Sequence, residues 1–406
     1  MNCRACNSEL SLIFIDLGQS PIANNLLHNS RENLQNEKFP LCAMTCERCS
    51  LVQLSVSINR RKLFPDDYVY FSSYSTSWLE HCKIYAEKMF GFLDLSPNDY
   101  VIEIASNDGY LLEHFKNLGV GVLGIEPANE VAQVAVEKGI PTLIEFFGYE
   151  SALKVSAKYK PKLIIGNNVL AHVPDLHDFI KGFAALVPDD GVITFEFPHL
   201  LNLIRNNQFD TIYHEHYSYL SLMSLIPLFA IHALKVFDVE KLSTHGGSLR
   251  IFVTKESSAW EIKESVNRIL QEEKEFDPRI KDVYETFQSK ALIAKSEIME
   301  EIQKLKTQNK KIAAYGAAAK GVTFLNFCGI DGSVIDYIID LNPNKQNKYM
   351  PGSNIPIKSK EFFLENQPDV LLVLVWNLAG EIQAQLSDFS DEKLKFLRAI
   401  PKLEYF

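Results

Sequence analysis

The chain has 406 residues and a mass of 46.1 kDa, room for two to four compact units at about 100 to 200 residues each. Hydrophobic residues at 47% and charged residues at 23% supply apolar surface for several cores and exclude a disordered chain. A net charge of −10 without a long basic run argues against a nucleic-acid partner, and the lack of a leader or of about 18 consecutive apolar residues points to a cytoplasmic protein with no membrane partner.

Five of the seven cysteines (Cys3, Cys6, Cys42, Cys46, Cys49) fall within the first fifty residues. Cys3-Arg-Ala-Cys6 and Cys46-Glu-Arg-Cys49 each present two thiolates on a tight turn, and four sulfurs suit tetrahedral zinc. Such a site is coordinatively closed, so the zinc is expected to fold its module and not to catalyse. Cys42 is a spare that could displace Cys46. Residues 1–60 read as a zinc-binding module with a small strand pairing of its own around Leu12, Ile13, Phe14, Ile15 and Leu17. An aromatic stretch follows, with Tyr68, Tyr70 and Tyr74, from which Tyr70 is the candidate to cap a substrate pocket.

Residues 61–256 alternate strand and helix. Asp99 to Leu112 reads as a β-branched strand, a polar turn and the start of a helix. About twenty residues on, Val122-Leu-Gly-Ile125 is a second strand ending at Glu126, where a carboxylate meets the ribose diol of a nucleoside bound at the first loop. The loop is not G-x-G-x-x-G: Ala105 replaces the first glycine, Asn107 lies in the turn and only Gly109 remains. Further strands at Pro161 to Ile165 and Gly191 to Phe195 predict a mostly parallel, doubly wound sheet. Ligands of such sheets collect at the carboxyl ends of the strands, where Glu103, Glu126, Asn168, His172 and Glu196 stand. Beyond the sheet, Tyr213-His-Glu-His-Tyr217 concentrates titratable groups, followed by Tyr219 and Thr244-His245-Gly-Gly-Ser248. An imidazole of near-neutral pKa suits a general base, and a phenol or second imidazole suits an oxyanion stabiliser. His214 is expected to face away from the site and to be structural.

The runs Glu-Ile-Ala-Ser-Asn-Asp-Gly-Tyr-Leu-Leu, Asn-Val-Leu-Ala-His-Val and Tyr213-His-Glu-His-Tyr-Ser218 occur in an order that resembles the bacterial deoxysugar C-methyltransferases, and the resemblance covers the whole chain. It implies a small zinc-binding N-terminal module (metal ligands Cys3, Cys6, Cys46, Cys49), a central class I S-adenosylmethionine methyltransferase core and a C-terminal Rossmann-like α/β domain that contributes to binding the nucleotide sugar. It implies further that Glu103 and Gly109, with Ala105 and Asn107 in the same loop, shape the methionine end of the cofactor pocket. On the same ground Glu126 binds the ribose, Phe146 and Phe147 flank adenine, and Asn168 lies near the amino acid moiety. The family places its base at the last histidine of the third motif, here His216, with Tyr213 and Glu215 orienting base and sugar and His172 on the opposite wall. Glu196 and His245 are expected on the substrate side.

Residues 257–406 open with helical spacing through Ile262, Val266, Ile269 and Leu270, then through Val283, Phe287, Leu292, Ile298, Ile302 and Leu305. Lys311 to Gly321 repeats strand, small-residue loop and helix, with Gly316 permitting the turn. Val334 to Asp340 and Val370 to Val375 read as further strands. Lys320 is expected to offer charge to a diphosphate, and Trp376 or Tyr315 a stacking face. The expected function is S-adenosylmethionine-dependent C-methylation of a nucleotide-linked keto-deoxyhexose, dTDP-linked, at the carbon alpha to the ketone. An NAD-dependent sugar epimerase or reductase would instead call for a glycine-rich loop and a Tyr-x-x-x-Lys pair. A zinc-dependent scaffold that kept the sheet without its chemistry is the non-enzymatic alternative.

Overall fold

A computed structural model describes residues 1–63, 76–387 and 394–406; Tyr68, Tyr70 and Tyr74 lie outside them. Among the described residues no helix is long and apolar enough to cross a membrane. The first sheet is built from β1 (Leu12–Pro21), β2 (Lys38–Thr45) and β3 (Val52–Leu54), an antiparallel meander whose inward residues, among them Phe14, Ile15, Leu17, Leu41 and Ala43, are buried.

The second sheet contains β4 (Tyr100–Ile104), β5 (Gly121–Ile125), β6 (Thr142–Leu143), β7 (Pro161–Asn167) and β8 (Val192–Pro198), all parallel. A short strand, β9 (Ser218–Tyr219), leaves this unit and completes the first sheet by pairing antiparallel with β3, Val52 opposite Tyr219. β10 (Leu234–Leu242) and β11 (Ser248–Lys255) return to the second sheet, where β11 runs antiparallel to both neighbours. The order β10-β11-β8-β7-β4-β5-β6, parallel but for a reversed strand next to one edge, is the class I methyltransferase arrangement expected of the sequence. Helices cover both faces, so the strands are near-continuous apolar runs, and a polar residue such as Glu103 inside β4 stands out.

The third sheet has the order β14-β13-β12-β15-β16-β17, from β12 (Ile312–Tyr315), β13 (Ile338–Ile339), β14 (Ile357–Lys358), β15 (Val370–Val373), β16 (Lys395–Arg398) and β17 (Glu404–Tyr405). It is parallel except for β17, the Rossmann-like form. Helices Glu264–Lys274 and Lys281–Thr307 lead into it. The longer one buries Phe287, Ala291, Ala294, Ile298, Ile302 and Leu305 and stacks Phe287 on Phe14 of β1 at 5.0 Å. Leu292, expected on that stripe, is 52% exposed. Ala291 and Ala294 occupy its place because two helix surfaces approach more closely over alanine than over leucine.

One apolar core runs continuously from the first sheet through residues 200–212 into the third. The segment between β8 and β9 is therefore gripped from both sides, by the N-terminal module and by the C-terminal domain.

Candidate active site

The four cysteines expected to hold zinc converge, with all four sulfurs within 4.8 Å of one another. Cys3 Sγ lies 3.5 Å from Cys49 Sγ and Cys6 Sγ 3.4 Å from Cys46 Sγ, close to the spacing of about 3.8 Å that tetrahedral Zn–S bonds of about 2.3 Å impose. Cys42 is not in the cluster; its sulfur points along β2 to the Ala43 carbonyl. Four thiolates around Zn²⁺ carry a net charge of −2, and two guanidinium groups face them: Arg279 feels the charge of Cys46 and Cys49, and Arg4 that of Cys3. The residues fit the metal.

At the carboxyl end of β4 the chain turns through three residues with positive φ, Ala105 (+57°), Asn107 (+51°) and Gly109 (+76°). Ala105 donates its N–H to the Ile125 carbonyl at 2.7 Å, which keeps the loop close over β5. Gly124 makes room for it, since a Cβ there would stand 2.4 Å from Ser106 Oγ. A left-handed alanine costs about 1 kcal/mol relative to glycine. Ala105→Gly should therefore raise the unfolding free energy by about 0.5 kcal/mol after the added freedom of the unfolded chain is subtracted. Urea denaturation reads this; a loss of stability would mean that the methyl has a packing role.

Glu126 accepts the N–H of Asn107 at 3.0 Å and that of Ala128 at 2.9 Å, so this carboxylate ties the two strand-end loops together and keeps acceptor capacity for a diol. Burial raises its proton affinity, opposed by those two amides. Glu103 is fully buried, and neither carboxylate oxygen has a well-formed hydrogen bond among the described residues. Burial and then the charges of Glu126 and Asp108 push its pKa well up, opposed only by the Tyr110 phenol. Asn168, in a left-handed conformation after β7, has a buried Oδ1 likewise without a partner. Unsatisfied buried groups at adjacent strand ends are what a polar ligand with a cationic amino acid moiety would complete, and S-adenosylmethionine fits this cradle. Phe147, expected beside adenine, is instead inserted edge-on between Phe179 and Phe183 at 5.5 and 5.0 Å, in space left by Gly182. Phe146 is the partly exposed member of the pair.

The segment Tyr213-His-Glu-His216 is a turn, not an extended strand: His216 N–H donates to the Tyr213 carbonyl at 3.0 Å. His214 faces away, toward the Pro40 carbonyl and the Phe39 ring of β2, because the turn breaks the alternation that would put residues two apart on one face. His216 Nδ1 lies 3.0 Å from the Thr211 carbonyl, which can only accept, so Nδ1 carries the proton. Nε2 then holds the lone pair, and it accepts from the Tyr213 hydroxyl at 2.8 Å. The His172 ring packs on His216 at 4.7 Å, its own Nδ1–H donating to the Glu215 carbonyl at 2.8 Å. Since His172 follows Asn168 by four residues, His216 stands one imidazole away from the strand end where those unsatisfied groups lie. The Glu215 side chain turns out of the site. It accepts both the backbone and side-chain N–H of Asn24 at 3.1 Å and is pushed by burial to about 7. It thus orients the site through its carbonyl and clamps the N-terminal module with its carboxyl.

His172, His216 and His245 each keep some accessible surface, yet burial drives all three toward neutrality, His172 and His245 to about 4. Each is thus a desolvated imidazole with part of its surface still open. His245, with φ at +53°, faces Trp78 at 5.4 Å. Glu196, expected to bind substrate, is saturated by protein: Arg250 at 2.7 Å, His81 at 2.9 Å and the Thr244 hydroxyl at 2.9 Å. Despite its burial, His81 and Arg250 keep it ionised, and its part is to fix the loop of His245. Sequence reasoning missed His81, although a histidine sharing the helical stripe of Trp78, Cys82, Tyr85 and Met89 is itself a signal.

The C-terminal residues are not brought together as expected. Lys320 and Trp376 meet, with the ammonium over the indole at 4.5 Å. Tyr315 points to the other face of β12, into a cluster with Ala313, Tyr337 and Val373. The N–H of Ala317, in the small-residue loop, is taken by the Asp340 carboxylate at 2.9 Å.

Three family models match the chain: a zinc binding domain over residues 3–64, a methyltransferase domain over residues 80–236 and a C-methyltransferase C-terminal domain over residues 243–401. The chain is similar to the C-methyltransferase NovU of Streptomyces niveus, 34% identical over 401 residues, which cover 98% of this chain and 95% of that protein. Among solved structures it is similar to an S-adenosylmethionine-dependent methyltransferase from Clostridium acetobutylicum, at 12% identity and a TM-score of 0.36, over 44% of this chain and 92% of that one. Magnesium protoporphyrin IX methyltransferase from Synechocystis is similar at 13% identity and a TM-score of 0.35, over 50% and 99%.

Proposed function

Since the chain belongs to the C-methyltransferase family, we propose that this S-adenosylmethionine-dependent enzyme methylates a nucleotide-linked 4-keto-deoxyhexose, with dTDP as its nucleotide, at the carbon alpha to the ketone, C3. The observation that carries the reading is the chain Thr211 carbonyl, His216, Tyr213 hydroxyl: it fixes a neutral, desolvated imidazole in one tautomer, with Nε2 as the lone-pair nitrogen. A carbon acceptor must first lose a proton, and such a nitrogen is suited to receive it.

Glu103, Glu126, Asn168 and the 105–109 loop would hold the cofactor, which when bound supplies a methyl group on a good leaving group. The sugar's alpha proton goes to His216 Nε2. The Tyr213 hydroxyl, which occupies that lone pair when no sugar is bound, turns to the ketone oxygen before the transfer and donates to it as charge develops, and His172 closes the facing wall. Alignment then dominates the transfer.

Incubation with methyl-labelled S-adenosylmethionine and a panel of keto-sugar nucleotides differing in base should give a carbon-bound label, stable to mild acid, with the dTDP-linked 4-keto-deoxyhexose. Label on oxygen or nitrogen, or transfer to none of the keto sugars, would reject the reading.

A further inference from the structure

The turn that carries the base is held on its far side by the C-terminal domain. Thr323 donates its hydroxyl to the Ile212 carbonyl at 2.8 Å. Trp376 donates Nε1–H to Asp210 Oδ2 at 2.7 Å, and its ring fills the space beside Gly246, where a Cβ would stand 2.4 Å from the indole. Lys320, at the start of helix Ala319–Cys328, extends over that indole and donates to Asn377 Oδ1 at 2.6 Å. Its ammonium thus lies where Trp376 and Asn377 meet the segments of Asp210 and Gly246, and His216 and His245 both feel its charge.

The charges facing this junction come from each element packed against it. His216 and Tyr213 lie on the turn, His172 on the segment after β7, His245 on the loop before β11, Tyr219 on β9, Asp210 before the turn and Cys328 at the far end of the Lys320 helix. The three imidazoles and the thiol are neutral in this setting, and the nearby Arg250 is neutralised by Glu196 and Glu240. Lys320 supplies the positive charge. Burial lowers its proton affinity, and the Asp210 carboxylate opposes that.

We propose that Lys320 is the electrostatic catalyst of enolate formation, contributed by the C-terminal domain, and that Asp210 and Trp376 are positioning residues that keep its ammonium charged and aimed at His216 and His245. The proposal rests on the reading of His216 as the base of a keto-sugar methylation. In the step concerned, the C–H electron pair becomes the new C=C bond, the carbonyl π pair moves onto oxygen, the proton goes to His216 Nε2, and the Lys320 ammonium faces the oxyanion without transferring its own proton. A preorganised cation is worth most in a desolvated site.

The test follows exchange of the alpha proton of a dTDP-4-keto-deoxyhexose in D2O, with the full-length, zinc-loaded enzyme and S-adenosylhomocysteine in place of the methyl donor, so that enolisation is read without transfer. Lys320→Gln should slow exchange about 10²-fold with little change in the concentration dependence, and Lys320→Arg should recover part of the loss. Asp210→Asn, which keeps an acceptor for Trp376, should move the basic limb of the exchange rate about one unit to lower pH, because the amine loses its counter-charge. If Lys320→Gln weakens saturation by the sugar nucleotide and leaves the limiting rate alone, Lys320 binds the diphosphate and the proposal fails. An unmoved basic limb in a folded Asp210→Asn enzyme also overturns it. Failure of the underlying reading looks different: exchange then survives His216→Asn or is absent from the unmodified enzyme.

Discussion

His216→Asn should lower kcat by about 10³-fold while the affinity for S-adenosylhomocysteine changes by less than about twofold. The size follows from what a positioned general base contributes, about 10² to 10⁴. The selectivity follows from where the residue sits. Asparagine can still donate an N–H to the Thr211 carbonyl, now 3.0 Å from the ring nitrogen, so the turn keeps its anchor. What is lost is the nitrogen proposed to receive the proton. The proposed cofactor cradle consists of Glu103, Glu126, Asn168 and the 105–109 loop, whose hydrogen bonds among the described residues do not run to His216. Steady-state kinetics with calorimetric titration of S-adenosylhomocysteine checks both halves. A variant that no longer binds the product cofactor would show that His216 supports the cradle, and one that still turns over at a tenth of the rate or more would show that another group takes the proton.

Much of this site was legible in the sequence because its residues stand where a parallel sheet exposes them. Glu103, Glu126, Asn168 and His172 follow from strand ends, and strand ends follow from β-branched runs closed by polar turns. What the pattern could not carry was pairing across elements. Glu196 looked like a ligand-binding carboxylate because nothing in its own strand reveals that Arg250 stands directly opposite on β11 and that His81 reaches it from a helix more than a hundred residues earlier. Tyr315 reads as a stacking face because an aromatic residue at a strand end reads the same whether it opens to a ligand or fills a core, and Phe147, expected beside adenine from the resemblance alone, fills a core in the same way. Lys320 was legible as a charge beside a helix start, but its direction depends on how the third sheet docks. That docking is set by apolar packing along helix Lys281–Thr307 and by Trp376 against Gly246. The same holds for β9, two residues long, which has no periodicity to announce it and yet joins the catalytic turn to the N-terminal sheet.

Replacing Cys3 and Cys49 together by serine should give protein without zinc and largely insoluble, the largest loss of stability expected from any change considered. Structural tetrathiolate sites bind Zn²⁺ with about 10 to 16 kcal/mol of apparent free energy, more than a typical domain has in reserve. The cost does not stay in the module. Arg4, between two ligands, donates to the carbonyls of Leu54 and Tyr217 at 3.1 and 3.4 Å, and His177 reaches the Ala5 carbonyl at 2.9 Å. β3 pairs with Ser218 and Tyr219 immediately beyond the turn of Tyr213 to His216, and Asn24 holds the Glu215 carboxyl. Unfolding the knuckles leaves a guanidinium half-buried without its thiolate counter-charge and frees one edge of the turn that positions His172 and His216. A chelator acting on the unmodified protein should therefore abolish activity along with zinc content, although no thiolate takes part in the chemistry. Cys42→Ser is the control: its sulfur lies outside the cluster, so zinc measured by atomic absorption should remain at one equivalent. Retention of zinc by the Cys3 and Cys49 double variant, or its loss from Cys42→Ser, would mean that the metal is held by a different set of sulfurs.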